Sequence, residues 1–189
     1  MRLFLALPLA EPVATELARL TERLRASAPD LRWSAPESWH ITLQFLGAAT
    51  PDQYDCLIPR LAALRSAPVP VHLASLGVLE RAGVLHLGVE PAPGLLALQQ
   101  RIVAATTPCG FEPEARPYRP HITLARRKGQ GSSHGLRALS AKIKTPDKGA
   151  GPDRFTRFTA REFLLYESHL SSSGSTYEVR YRFSLTRAG

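Results

Sequence analysis

The chain has 189 residues, 44% of them hydrophobic and 21% charged, a balance that excludes wholesale disorder and suits one globular domain over residues 1–189. A formal net charge of +8 favours a polyanion, nucleic acid or a phosphorylated metabolite, as partner. No stretch approaches the ~20 apolar residues of a membrane span, which excludes a helical membrane protein.

Elements follow in chain order. Arg2-Leu3-Phe4-Leu5-Ala6-Leu7 is an apolar run that Pro8 interrupts and Glu11 follows; it is short for a secretory leader and reads as a buried first strand. Val13, Leu17, Leu20 and Leu24 recur at helical spacing and predict a helix over 11–27. A motif strand begins at His40. Thr50 as N-cap and Pro51 at the first position open a helix over 52–65, with Leu57, Leu61 and Leu64 inward and Pro59 kinking or shortening it. Residues 69–78 read as an edge strand or strand pair. Leu95, Leu98, Ile102 and Ala105 predict a helix over 93–106. A second motif strand begins at His121. The Gly- and Lys-rich stretch 126–153 reads as mobile surface with a short helix near 136–143. Residues 155–167 are strand-rich, 171–175 make a turn, and Tyr177, Val179, Tyr181, Phe183 and Leu185 then alternate with polar residues as a half-buried strand. Cys56 and Cys109 are the two cysteines. Neither has metal-ligand spacing, and the expectation is two reduced, buried thiols in a cytoplasmic protein.

The tetrapeptide His-Ile-Thr-Leu occurs twice, at His40–Leu43 and His121–Leu124, 81 positions apart. Sliding the chain by 81 also lays Leu3-Phe4-Leu5-Ala6 on Val84-Leu85-His86-Leu87, Pro12 on Pro93, Leu17 on Leu98 and Pro36 on Pro117, with no gap. The expected architecture is α+β: a duplicated unit of two similar lobes about an approximate two-fold axis, with the motifs meeting at the axis.

A strand has a period of two, so each motif puts His and Thr on one face and anchors them with Ile and Leu on the other. An imidazole titrates near pH ~6.5, so one of a pair can be neutral while the other is protonated. His40 and His121 are therefore the expected proton-transfer pair for breaking a phosphodiester, one as base and the other as acid. Thr42 and Thr123 are the expected donors to the phosphate oxygens, with Arg126 as the guanidinium that binds phosphate. Arg119 is a second cationic candidate, across Pro120 from His121. Phe45 stands where Arg126 stands in the other half, which assigns one side of the cleft to phosphate and the other to a flat apolar group; Trp33, Trp39, Tyr118 and Tyr166 are further stacking candidates. His72, His86, His134 and His169 lack a comparable setting, and His86 reads as a satisfied strand residue. One histidine per motif without a neighbouring carboxylate disfavours zinc. No GxSxG elbow occurs, and Gly129-Gln130-Gly131-Ser132-Ser133 lacks the lysine of a phosphate-binding loop. No metal and no cofactor is expected.

Tandem His-x-Thr motifs on a duplicated frame resemble the 2H phosphoesterase superfamily. The wording is most similar to its RNA 2',3'-cyclic phosphodiesterase, or 2'-5' RNA ligase, branch, through Arg2-Leu3-Phe4-Leu5-Ala6-Leu7, Trp39-His40-Ile41-Thr42-Leu43-Gln44-Phe45-Leu46-Gly47, Gly110-Phe111-Glu112-Pro113, Arg119-Pro120-His121-Ile122-Thr123-Leu124-Ala125-Arg126 and Leu164-Leu165-Tyr166-Glu167-Ser168. The resemblance covers nearly the whole chain. It implies antiparallel sheets around a central cleft and metal-free hydrolysis of RNA 2',3'-cyclic phosphate ends to 2'-phosphate ends. It also implies functional roles for His40, Thr42, His121, Thr123 and Arg126, with His121 taken as base and His40 as acid. The competing readings are an RNA-end-binding module and the reverse joining reaction. The expected partner is RNA with a cyclic phosphate end, or a cyclic nucleotide; a monomer is the expected state.

Overall fold

The computed structural model describes residues 1–129, 133–144, 157–171 and 174–186. Among these are nine strands and four α-helices: β1 (Arg2–Pro8), α1 (Glu11–Arg25), β2 (Leu31–Trp33), β3 (His40–Ala48), α2 (Pro51–Ala62), β4 (Val69–Leu79), β5 (Val84–Val89), α3 (Pro93–Thr106), β6 (His121–Arg127), α4 (His134–Lys144), β7 (Arg157–Ala160), β8 (Glu162–Ser171) and β9 (Gly174–Ser184). They form an α+β fold with two antiparallel sheets, ordered β3-β1-β8-β9 and β2-β6-β5-β4-β7.

Elements recur close to the 81-residue spacing: β1, α1, β3 and α2 are followed by β5, α3, β6 and α4 in the same order. The two sheets do not divide the chain cleanly. β2 crosses from the first half to pair with β6, while β8 returns from the end of the chain to pair with β1. The strands that carry the motifs, β3 and β6, come close to one another.

Local chemistry explains most boundaries. The α2 N-terminus is a capping box: the Gln53 N–H donates to Thr50 Oγ1 at 3.2 Å and the Thr50 N–H donates to Gln53 Oε1 at 3.1 Å, so two otherwise orphaned donors are satisfied. Pro59 lies inside α2, which ends at Ala62 rather than the expected residue 65, consistent with the backbone bond a proline withholds. α1 stops at Arg25, two residues short of expectation, with Arg23 and Arg25 in its last turn, where cations oppose the helix dipole. α3 has the expected bounds and buries Leu95, Leu98 and Ile102. The core runs through both halves, from Leu5, Leu17 and Ile41 to Leu87, Leu98 and Ile122. Each such side chain contributes roughly 1.5–3 kcal/mol through its burial.

Four expectations need correction. Residues 69–78 are neither an edge strand nor a pair: β4 is one strand inside its sheet, with Val69–His72 on β7 and Leu73–Leu79 on β5. The alternation from Tyr177 to Leu185 buries only Phe183 and Leu185, while Val179 and Tyr181 stay exposed. Its register jumps from Leu165↔Tyr181 to Tyr166↔Val179, leaving Arg180 as an extra residue, and such a bulge breaks the period of two. Arg126 and Arg127, expected as the start of a mobile surface stretch, belong to β6; the short helix expected near 136–143 is present as α4, and 130–132 and 145–153 lie outside the described residues. Lastly, Cys56 and Cys109 are not free thiols. They form a disulfide with Cα atoms 5.7 Å apart, joining α2 to the 3-10 turn Thr107–Cys109 that follows α3. A separation of 53 positions hides a contact that only the packing of α2 beside α3 creates.

Candidate active site

Both motif strands show the same burial from their first residue: half-buried His, buried Ile, half-buried Thr, buried Leu. The apolar pair faces the core, and the polar pair faces a cleft of about 370 Å³. His40 and Thr42 line it from β3, and His121 and Thr123 from β6. Arg2 and Phe4 join them from β1, and Ser168, Leu170 and Tyr177 from the β8–β9 hairpin.

The two imidazoles are anchored alike. His40 Nδ1 lies 2.7 Å from the Ser38 carbonyl oxygen, and His121 Nδ1 lies 2.9 Å from the Arg119 carbonyl oxygen. In each case the acceptor is two residues before the histidine. A carbonyl only accepts, so each Nδ1 carries the hydrogen and each Nε2 is the atom left to exchange a proton.

Their surroundings differ. The His40 ring packs on Phe4 at 4.8 Å between centroids and edge-on to Tyr177 at 5.2 Å, with Tyr166 stacked behind Phe4 at 5.0 Å. Burial pushes the His40 imidazole down from 6.5 to about 4; the Ser38 hydrogen bond opposes this, while the positive charges of His121 and Arg126 add to it. Its anchoring bond is partly buried, whereas that of His121 is exposed.

Arg126 and Phe45 reach the cleft through a shared irregularity. Unbroken alternation would send a residue three places after the motif threonine to the far face. In β1–β3 the register steps from Leu5↔Gln44 to Ala6↔Thr42, skipping Leu43. In β5–β6 it steps from Leu85↔Ala125 to His86↔Thr123, skipping Leu124. Each bulge leaves two consecutive buried residues and returns the next, Phe45 or Arg126, to the cleft side. Phe45 is 57% exposed.

The remaining candidates are placed differently. Arg119 does not line the cleft; its backbone carbonyl orients His121. Tyr118 donates its hydroxyl to the Thr42 carbonyl at 2.9 Å and is not part of the lining. Trp33 donates Nε1–H to the Ala28 carbonyl at 3.0 Å and Trp39 is buried in the core. Sequence reasoning missed Tyr177, Ser38, Leu170 and Arg2. The alternation around Tyr177 was visible, but which sheet the hairpin would join was not.

Among the described residues one group of three side chains could hold a metal ion: Glu167, His169 and Glu178. These alternate with Ser168 and Tyr177, so they lie on the hairpin face turned away from the cleft. Arg180 pairs with both carboxylates at 3.3 and 3.4 Å. Neither motif histidine belongs to the group. No helix among the described residues is long and apolar enough to cross a membrane.

The family model of the 2'-5' RNA ligase superfamily matches residues 9–156. An RNA 2',3'-cyclic phosphodiesterase of Geobacillus stearothermophilus is 31% identical over 98% of this chain, which spans 57% of that longer protein. One from Thermus thermophilus is 30% identical, covering 98% of this chain and 90% of its own. Among solved structures, TT0787 of Thermus thermophilus superposes with a TM-score of 0.78 at 28% identity over 100% of both chains. Escherichia coli LigT complexed with 3'-AMP superposes with a TM-score of 0.77 at 25% identity over 98% of both. The chain belongs to the 2'-5' RNA ligase superfamily.

Proposed function

We propose that this protein is an RNA 2',3'-cyclic phosphodiesterase that opens the cyclic end to a 2'-phosphate using its two motif histidines and no metal. The observation that carries the reading is the matched anchoring of two imidazoles, Nδ1 to a carbonyl two residues back, on the walls of one cleft. The relatives' names support the reaction, since those from Aeropyrum pernix and Bacillus subtilis are also RNA 2',3'-cyclic phosphodiesterases.

One imidazole takes a proton from water as its oxygen attacks phosphorus. The bond from phosphorus to the 3' oxygen breaks, and the second imidazole donates a proton to that oxygen. Each transfer is worth ~10²–10⁴-fold. The Thr42 and Thr123 hydroxyls and the Arg126 guanidinium meet the charge that grows on the non-bridging oxygens. Phe45 offers the base of the terminal nucleotide a stacking face.

Burial argues for an order. A ring held near 4 is neutral at neutral pH, which fits His40 to the base, leaving His121 as the acid. This reverses the order expected from the sequence, where the two histidines are indistinguishable. Joining an RNA 5'-hydroxyl to the cyclic end is the same ring opening with that hydroxyl as nucleophile in place of water, and water at high concentration favours hydrolysis. The cytoplasm and a monomeric state stay part of the proposal. A cytoplasmic location would expose the Cys56–Cys109 bridge to cellular reductant.

Incubation with a 2',3'-cyclic nucleotide in excess EDTA tests the reaction, read by phosphorus NMR. The expected product is the 2'-phosphate alone, at a rate unchanged by EDTA. A 3'-phosphate product, or turnover abolished by chelation, would refute it.

A further inference from the structure

The second lobe holds an imidazole for which the first has no counterpart. His86 pairs with Thr123 across β5–β6, so both side chains lie on the face that carries His121. The matching residue opposite Thr42 is Ala6. Room for a ring at position 86 comes from β4, where Gly77 is its cross-strand partner. A Cβ on Gly77 would collide with Cε1 of the His86 ring. The ring thus lies over a bare stretch of backbone, and its Nδ1–H donates to the Gly77 carbonyl at 2.8 Å. Held this way, it meets the His121 ring edge to face, with centroids 5.4 Å apart and planes at 69°.

We propose that His86 is a positioning residue for the second motif: a ring clamped on Gly77 that holds the His121 imidazole side-on and gives its protonated form an uncharged aromatic neighbour. The inference rests on the paired-histidine reading of the cleft. Two properties support it. A cation within about 6 Å of an aromatic centroid is stabilised by the ring face. His86 also stays uncharged at neutral pH, because burial, with a further push from the charge of His121, lowers it to about 4. β4 meets it with the Gly77 backbone, and β6 with Thr123 and His121, of which His121 is the titratable group. In the first lobe two other aromatic rings, Phe4 and Tyr177, pack against His40 instead.

The test is the ring tautomer of His121, read by NMR of nitrogen-labelled imidazoles, beside steady-state kinetics on a 2',3'-cyclic nucleotide. With its Nδ1–H on the Arg119 carbonyl, His121 is expected as that single tautomer in the wild type and as a mixture in His86→Ala, with kcat lower by about tenfold through misplacement and KM little changed. His86→Phe, which restores an uncharged ring, is expected to recover most of both. Gly77→Ala displaces the ring without altering either histidine and should reproduce both changes; it also decides the matter if His86→Ala does not fold. The proposal is overturned if the His121 tautomer is unchanged in His86→Ala and Gly77→Ala, even where kcat falls, since a purely structural loss would do that. The tautomer readout does not depend on turnover, so an inactive wild-type protein would refute the hydrolase reading and leave this inference open to its own test.

Discussion

The Tyr118 hydroxyl donates to the backbone carbonyl of Thr42 at 2.9 Å, tying the segment that leads into β6 to the centre of β3. The bond spans 76 positions of sequence and links the two motifs directly. Burial pushes the phenol well above its usual range, so it remains a donor at any working pH. Tyr118→Phe removes the bond and leaves the ring. The expected result is a loss of about 1 kcal/mol in denaturant unfolding, together with a fall in kcat, because the separation of the two imidazoles is no longer fixed. Unchanged kcat would show that the tie has no part in aligning them.

Arg126 and Phe45 occupy matching positions after matching bulges, yet one is cationic and the other aromatic. Their substitutions should separate. Arg126→Gln is expected to lower kcat/KM by about 10²-fold, mostly in kcat. Phe45→Ala should raise KM about tenfold and spare kcat. Steady-state kinetics on cyclic AMP and cyclic CMP of the 2',3' type checks both. Equal effects on kcat from the two variants would contradict the division of the cleft.

Acid should loosen the fold before the carboxylates titrate. His40 and His86 both sit near 4 in the folded chain against an ordinary 6.5. Between those values the unfolded chain binds protons that the folded chain resists. The stability these neutral rings represent is therefore full above pH ~6.5 and declines as pH falls toward ~4. Calorimetry from pH 7.5 to 4.5 should show Tm falling steadily. In His86→Phe the fall should be shallower, since one of the two contributions is gone. A Tm that is flat across this range would contradict the burial of both rings.

The disulfide gives a prediction about stability rather than chemistry. Neither Cys56 nor Cys109 lines the cleft. A bridge closing 53 positions is worth about 4 kcal/mol on the chain-entropy account. Cys56→Ser should lower stability by that order in urea unfolding and leave kcat within about twofold of wild type. Free-thiol titration of the denatured, unreduced protein should detect no thiol, and two reactive thiols would contradict the bridge.

Much of this was legible because it follows from period and repetition. His-Ile-Thr-Leu can present His and Thr together only on a strand, and its recurrence at a fixed interval predicted two strands with the same burial. The helices around Leu17 and Leu98 were readable for the same reason. Long-range choices were not readable. Nothing local in Leu31–Trp33 says that it will leave its own half and pair with β6. Nothing around Glu162–Ser171 says that it will come back to β1, bringing Tyr177 against His40. His86 shows the limit most clearly. Sliding by 81 set it against Leu5, whereas the pairing register makes it the counterpart of Ala6. One residue of offset converts a strand histidine of no evident use into the neighbour of His121.

The order of acid and base is the sharpest prediction. His40→Ala and His121→Ala should each lose ~10²–10⁴-fold in kcat on an ordinary cyclic nucleotide. The double variant should lose much less than the product, because two groups serving one transition state are not additive. A 2',3'-cyclic substrate with sulfur in place of the 3' bridging oxygen separates the roles, since a thiolate departs without a proton. His121→Ala should recover most of its loss on that substrate, and His40→Ala should stay slow. The opposite pattern would restore the order expected from the sequence, with burial of His40 offset by the bound phosphate. Full activity of either single variant on the oxygen substrate would end the two-imidazole mechanism altogether.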